Sequence, residues 1–237
     1  MRPSFINNFQ KHPSQKLDFS VVPAAGSSLQ IILGNAGKRF NREWIFRNLN
    51  ATFQQGKSYA ITGPNGSGKS TLLQTISGAI APSEGAIEYF TRLETENRKL
   101  ETENVYQYIS IAAPYLEVIE EMTALEFLLF HASFKPLIKT VTIPQILEII
   151  GLQASKDKQI RFYSSGMKQR IKLAQAIFSD VPVLLLDEPC TNLDAAGYAL
   201  YHQLINDYCI HKLIIVSSND LNEYDFCGEQ LNIPDWK

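Results

Sequence analysis

Gly63-Pro64-Asn65-Gly66-Ser67-Gly68-Lys69-Ser70-Thr71 carries the plainest chemical signal in the chain. It fits the pattern G-x-x-x-x-G-K-[ST], in which glycines let successive backbone N–H groups turn inward around a phosphate. Lys69 would reach the β- and γ-phosphates, and the Ser70 hydroxyl would ligate Mg²⁺. A second signal is Val183-Leu184-Leu185-Leu186-Asp187-Glu188-Pro189, an apolar run that ends in two carboxylates. Asp187 would sit at the carboxyl edge of a sheet and hold Mg²⁺ together with Ser70, and Glu188 could polarise an attacking water. The third is Tyr163-Ser164-Ser165-Gly166-Met167-Lys168-Gln169-Arg170, shortly ahead of that run. Ser164 and Ser165 are natural N-caps, so the following helix would start with free N–H groups and the positive end of its dipole.

These residues need strands that end on one edge and helices that begin there. Ser58 to Thr62 reads as a short apolar strand feeding the loop, and Thr71 to Ile76 as the helix after it. Upstream, Leu29 to Leu33 is a strand, followed by a glycine-bearing turn and Lys38-Arg39-Phe40; Trp44 to Phe53 is a half-exposed strand. Ala86 to Phe90 and Val105 to Ala112 are further strands, the second enclosing Gln107. Between them, the polar stretch from Arg92 to Asn104 reads as a solvated hairpin or exposed helix, with a docking arm as the competing reading. From Pro114 the pattern turns helical. Glu121 to Phe134 places Leu125, Leu128 and Leu129 on one face. Pro144 to Ile150 is a helix opened by proline and ended by Gly151. Ser165 to Phe178 and Ala195 to Cys209 are helices, and Val183 to Leu186 and Lys212 to Ser217 strands. All-apolar strands of this kind belong to a parallel sheet covered on both faces, so the class is α/β. Residues 1–28 show no periodicity and read as an extension, with an edge strand conceivable around Phe19 to Val22.

In order and spacing, Gly63–Thr71, Tyr163–Arg170, Leu184–Pro189 and Leu193-Asp194 resemble the motifs of ATP-binding-cassette (ABC) ATPases, over roughly residues 29–227. The resemblance implies a phosphate-loop NTPase fold with a mainly parallel sheet core and an antiparallel β subdomain. It also implies an inserted helical subdomain at about 114–178, within a domain running from 29 to 237. It implies ATP and Mg²⁺ as ligands and a head-to-tail pair of cassettes, a homodimer or two paralogues. Ser164, Ser165 and Gly166 of one copy would then face the γ-phosphate held by Lys69 of the other. Cys190-Thr191-Asn192-Leu193-Asp194 looks like the loop joining the two sites, with Asp194 at its end. Phe40 stands where the family stacks an aromatic on adenine, with Trp44 the alternative.

Two positions depart from the family. Ile111-Ala112-Ala113-Pro114-Tyr115 lacks the glutamine expected at the junction with the helical subdomain. Asn219 stands where a histidine is usual; its amide can donate to a γ-phosphate oxygen but cannot titrate near neutral pH. The chain's four histidines lie elsewhere and read as surface or packing residues.

Composition narrows the partners. The chain has 237 residues, 45% apolar and 19% charged, with a formal net charge of −2. That balance gives no electrostatic footprint for a nucleic acid. Three cysteines without C-x-x-C spacing fit reduced packing residues in a cytosolic protein. No run reaches the ~18 apolar residues of a membrane span. The expected function is therefore an ATP-hydrolysing subunit, peripheral on the inner face of the cell membrane, that powers a separate transmembrane subunit. Glu117, Glu120 and Glu121 would line a groove for a partner helix or form a solvated acidic helix start. The competing readings are a soluble non-transport ABC ATPase and a cassette that binds ATP as a switch with little hydrolysis.

Overall fold

The computed structural model describes residues 28–92 and 97–237; the extension and its conceivable edge strand lie outside them. Among the described residues the β structure forms two sheets. Strands β1 (Ser28–Phe40), β2 (Glu43–Gln54), β4 (Glu84–Arg92) and β5 (Asn97–Leu100) form an antiparallel sheet in the order β2-β1-β4-β5. Strands β3 (Ser58–Thr62), β6 (Ile109–Ala112), β7 (Val183–Asp187), β8 (Leu213–Ser217) and β9 (Glu229–Asn232) form a parallel sheet ordered β6-β7-β8-β3-β9. Five α-helices accompany them: α1 (Lys69–Ile76), α2 (Ala124–Phe134), α3 (Ile143–Ile149), α4 (Ser165–Ile177) and α5 (Ala195–Tyr208).

The period of two along a strand explains how the sheet is covered. Leu184 and Leu186 of β7, with Ile214 and Val216 of β8, pack into a core built with α2, α3, α4 and α5. Their neighbours Val183, Leu185, Leu213 and Ile215 face the opposite way, against α1 and the antiparallel sheet. Each such leucine or isoleucine, fully buried, contributes about 1.5–3 kcal/mol. A strand apolar at every position is what a sheet with two dry faces requires.

Several expected elements shift. Gly34 to Gly37 is no turn: β1 runs through it with breaks in register, and Asn35 takes a left-handed φ of 47°. This is a bulge, and Gly37 leaves room for the Trp44 ring, which would stand 3.0 Å from a Cβ there. Val105 to Ala112 is a strand only from Ile109; a 3₁₀ segment, Thr102–Gln107, precedes it, so Gln107 lies outside the strand. The polar stretch after β4 returns as β5, a hairpin strand. Helix α2 begins at Ala124, because Thr123 and Glu126 close a capping box that stops it reaching back to Glu121. Its buried face is Ala124, Phe127 and Leu128, and Leu129 points to solvent. Strand β9 had no expected counterpart.

Candidate functional site

Register brings three loops to one edge of the parallel sheet. Asp187, last in β7, pairs with Ser217, last in β8, and Ser217 pairs in turn with Ile61 near the end of β3. The loops that follow β3, β7 and β8 therefore leave the sheet side by side at its carboxyl edge, where open α/β folds take ligands.

The loop after β3 is Gly63 to Gly68. Gly68 has φ 108°, and a Cβ there would fall 2.1 Å from Ile45 Cγ2 of β2, so no other residue fits. Gly63, at φ 141°, is closed in by the Ser67 hydroxyl and Pro234. Gly68 is also the N-cap of α1 and offers no side chain to the helix's first N–H groups, leaving them for an anion. Lys69 is buried, with its ammonium donating to the carbonyls of Gly63 (2.9 Å) and Pro64 (3.3 Å). The charge is thus held inside the cradle. Ser70 and Thr71 follow in the first turn of α1; Pro64, Asn65 and Gly66 form the exposed lip.

Asp187 is 2% exposed, and its Oδ1 has no hydrogen-bond partner; the hydroxyls of Ser67 and Ser217 are likewise buried and unpartnered. Leaving a buried carboxylate oxygen unmet costs several kcal/mol unless a cation or donor meets it. A divalent cation fits this donor set of hard oxygens. Glu188 follows with φ 43°, a left-handed conformation costing a non-glycine residue about 1–3 kcal/mol. Its N–H donates to Ser217 O (2.9 Å), and its C=O accepts from Thr191 N–H (3.2 Å). This tight turn keeps the Glu188 carboxylate at the sheet edge.

From the third loop, Asn219 donates through Nδ2 to Asn65 Oδ1 at 3.0 Å, which brings it against the lip of the first loop. Phe40 is 48% exposed at the tip of the β1–β2 hairpin, with the Lys38 ammonium 5.2 Å from its ring centre. Trp44 differs: the guanidinium groups of Arg39 (5.4 Å) and Arg47 (4.5 Å) both lie against its ring. Of the two aromatics, Phe40 is the less engaged.

Ser164, Ser165 and Gly166 lie apart from that cluster. Ser164 caps α4 by accepting from Met167 N–H (3.3 Å). With Met167, Arg170, Asn192, Leu193 and Asp194, these three residues line an open hollow of about 320 Å³. Asp194 caps α5 by accepting from Gly197 N–H (2.8 Å). Glu120 pairs with Lys168 on α4; none of the three glutamates 117, 120 and 121 is in a helix.

Two further residues matter that sequence reasoning did not single out. Gln169 of α4, 4% exposed, donates to Pro189 O at 2.6 Å and so ties α4 to the carboxylate turn. Tyr115 falls in the segment that lacks glutamine. Burial pushes its hydroxyl pKa up, the Gln74 side chain on α1 pulls it down, and the Asp187 charge pushes it up again. A polar group at the glutamine's place was a usable signal; Gln169 gave none.

The family model described as "ABC transporter" matches residues 46–191. Among similar proteins, the bacitracin transport ATP-binding protein BcrA of Bacillus licheniformis is 33% identical, over 83% of this chain and 63% of the relative. An uncharacterized ABC transporter ATP-binding protein of Bacillus subtilis, YybJ, is 32% identical over 72% of this chain and 76% of its own length. The Nod factor export ATP-binding protein I of Rhizobium johnstonii is 30% identical, over 86% and 66%. The chain thus spans under two thirds of the bacitracin relative. The fold matches a dimeric bacterial ABC transporter cassette, MJ0796, at TM-score 0.68 and 24% identity, over 86% of this chain and 94% of the other. It also matches an ATP-binding subunit of an ABC transporter at 0.72 and 22%, over 85% of each.

Proposed function

The chain belongs to the ABC transporter family of ATP-binding proteins, and from that premise we propose that it binds and hydrolyses ATP to power a separate membrane-spanning subunit. The carrying observation is the buried Lys69 ammonium in its glycine cradle, at the same sheet edge as the unpartnered Asp187 oxygen. Among the described residues no helix is long and apolar enough to cross a membrane, so this reading assigns the span to another chain, on whose inner face the cassette would sit.

In this reading, Lys69 and the N–H groups of Gly66 to Thr71 hold the β- and γ-phosphates, and Phe40 stacks on the adenine. Mg²⁺, held by Ser70 and Asp187, would supply charge neutralisation at the phosphates when bound. Glu188 orients and deprotonates the attacking water. Asn219 gives its amide N–H to a γ-phosphate oxygen. Ser164, Ser165 and Gly166 complete the site across a second copy, with Asp194 at the loop between the two sites. Arg170 lines the hollow they form but lies 3.8 Å from the Asp194 carboxylate, so in this reading the phosphate comes from the glycine cradle of a second cassette. ATP then stabilises the closed pair and hydrolysis releases it, and the membrane subunit follows that population shift.

Glu188→Gln removes the base and keeps the cradle. With ATP, this variant should elute as a dimer in size-exclusion chromatography, and its turnover should fall by about 100-fold or more. A variant that stays monomeric with ATP, or hydrolyses it at the wild-type rate, overturns the reading. A slow switch is the second reading, favoured by Asn219 in place of a titrating group. It predicts wild-type dimers that persist with ATP as Glu188→Gln dimers do.

A further inference from the structure

The loops that carry Glu188 and Asn219 are joined by a buried carboxylate that the scheme above does not use. Glu223 is 4% exposed and lies in a short 3₁₀ turn, Leu221–Glu223. Its Oε1 accepts from Cys190 N–H at 2.7 Å, two residues beyond Glu188. Burial raises its pKa most, the Ser218 hydroxyl and the Cys190 N–H pull it down, and the charges of Asp220 and Glu188 raise it; the Ser218 hydroxyl also accepts from Asp220 N–H at 2.9 Å. Ser218 precedes Asn219 and donates its own N–H to Ile61 O of β3 at 3.1 Å.

Helix α5 braces the assembly from behind. The Tyr201 hydroxyl donates to Glu223 O (2.9 Å) and the Tyr198 hydroxyl to Asp220 Oδ2 (2.9 Å). Asp194, at the end of the Cys190–Asp194 loop, caps that same helix. A carboxylate buried beside two other acids is costly, and it is retained where its acceptor oxygens meet needs nothing else nearby meets. Here that need is the buried Cys190 N–H on the loop after Glu188, met by a carboxylate that belongs to the loop carrying Asn219.

We propose that Glu223 is a positioning residue that clamps the turn carrying Glu188 to the loop carrying Asn219, so that base and γ-phosphate donor are set together. The proposal rests on the reading of the chain as an ATPase, and its test separates the two. Hydrogen exchange by mass spectrometry is followed on segments 188–194, 217–224 and 63–71 in wild type, Glu223→Gln, Glu223→Asp and Glu223→Ala. Gln keeps an oxygen for Cys190 N–H, Asp draws the carboxylate back by one methylene, and Ala removes it.

Exchange in both 188–194 and 217–224 should accelerate in the order Gln, Asp, Ala, by about tenfold or more in Ala, as loss of a hydrogen bond to a charged group implies. Segment 63–71 should be unchanged. Acceleration in one loop alone, or none in Asp and Ala, overturns the clamp whether or not ATP is hydrolysed. If Ala does not fold, the order of Gln and Asp decides.

Steady-state ATPase assays add the mechanistic arm. The value of kcat should fall by about tenfold in Ala at unchanged KM, with Gln near wild type. Combined with Asn219→Ala, the loss should be less than the product of the single losses. Multiplicative losses, or an unchanged kcat per folded molecule beside a lowered Tm, would assign Glu223 a merely structural role. A wild type that hydrolyses no ATP overturns the proposed function and leaves the exchange result to judge the clamp.

Discussion

Helices α1 and α4 both begin with a small-residue turn, yet their first turns are built on opposite plans. The α1 turn has no side-chain cap, a left-handed glycine at its N-cap and a buried lysine folded back over it. The α4 turn is capped by Ser164, and Gly166 has ordinary helical geometry beside an open hollow. An uncapped N-terminus with an internal cation is a finished anion site, because its free N–H groups and its charge converge inside one chain. A capped N-terminus facing solvent has spent part of that capacity, and it gains a phosphate only if one is presented from outside. In the proposed function, this difference is what makes the chain one half of a site used twice.

The largest test of this contrast is Lys69→Ala beside Ser164→Ala. Removing the Lys69 charge should weaken ATP binding by about 100-fold or more, at the upper range for hydrogen bonds to charged groups. Ser164→Ala should leave ATP affinity of the isolated chain unchanged within twofold. It should lower the Tm through loss of an N-cap worth about 1 kcal/mol, and weaken ATP-driven dimerisation. Titration calorimetry reads the first effect and analytical ultracentrifugation with ATP the last. If Ser164→Ala weakened binding in the monomer, the two turns would belong to one site and the contrast would collapse.

Glycine substitutions sharpen the same contrast with a smaller effect. At Gly68, a new Cβ meets Ile45 Cγ2 at 2.1 Å in a left-handed backbone, so Gly68→Ala must displace β2 or distort the loop. It should cost about 2–4 kcal/mol of stability by chemical denaturation and abolish nucleotide binding. At Gly166, the nearest atom to a new Cβ is Asn192 O at 3.1 Å, and the backbone is already helical. Gly166→Ala should fold with a stability change under about 1 kcal/mol and keep ATP binding, since Ala suits a helix interior better than Gly does.

What was legible in the chain follows the same division. The α1 turn could be read because its conformation is written locally: glycines at the strained positions and a fixed lysine, between β3 and α1. Strands β3, β7 and β8 could be read because two dry sheet faces demand apolar residues at every position. Strand β9 could not. Glu229 and Gln230 are exposed, and beyond main-chain pairing with β3 the strand offers the core only the half-buried Leu231 and makes one exposed ion pair, Glu229 with Lys57. The bulge at Gly34–Gly37 carries turn residues inside a continuing strand, so composition points the wrong way. Leu129 matches a helix period, but Ala124, Phe127 and Leu128 win the buried face because Thr123 fixes where the helix starts. Asn219 against Asn65, Gln169 against Pro189 and Glu223 against Cys190 join residues far apart in sequence. Such contacts exist only once strand register is set.

The smallest effect concerns how the α4 turn is supported at its far end. His131, in the last turn of α2, shares a 2.9 Å hydrogen bond with the Ser179 hydroxyl just beyond α4. Burial, with help from the Lys135 charge, lowers its pKa from 6.5 to about 4. The folded state therefore takes up the proton less readily than the unfolded chain. Stability should be fully present above pH 6.5 and decline as pH falls toward 4, because the unfolded chain binds the proton first. With the imidazole only partly shielded, the loss should amount to about 1–2 kcal/mol. His131→Gln keeps a donor for Ser179 and cannot titrate, so its urea-unfolding free energy should stay flatter across that interval than the wild type's. Lys69 and its cradle are remote in sequence from this contact and hold no histidine. ATP affinity at pH 6 should therefore be the same in His131→Gln and wild type, although α4 is held more weakly in the latter. Equal pH slopes in the two proteins would remove His131 from the support of α4 and leave its end held by Lys212, which donates to Ile177 O and Ser179 O, and by the packed core.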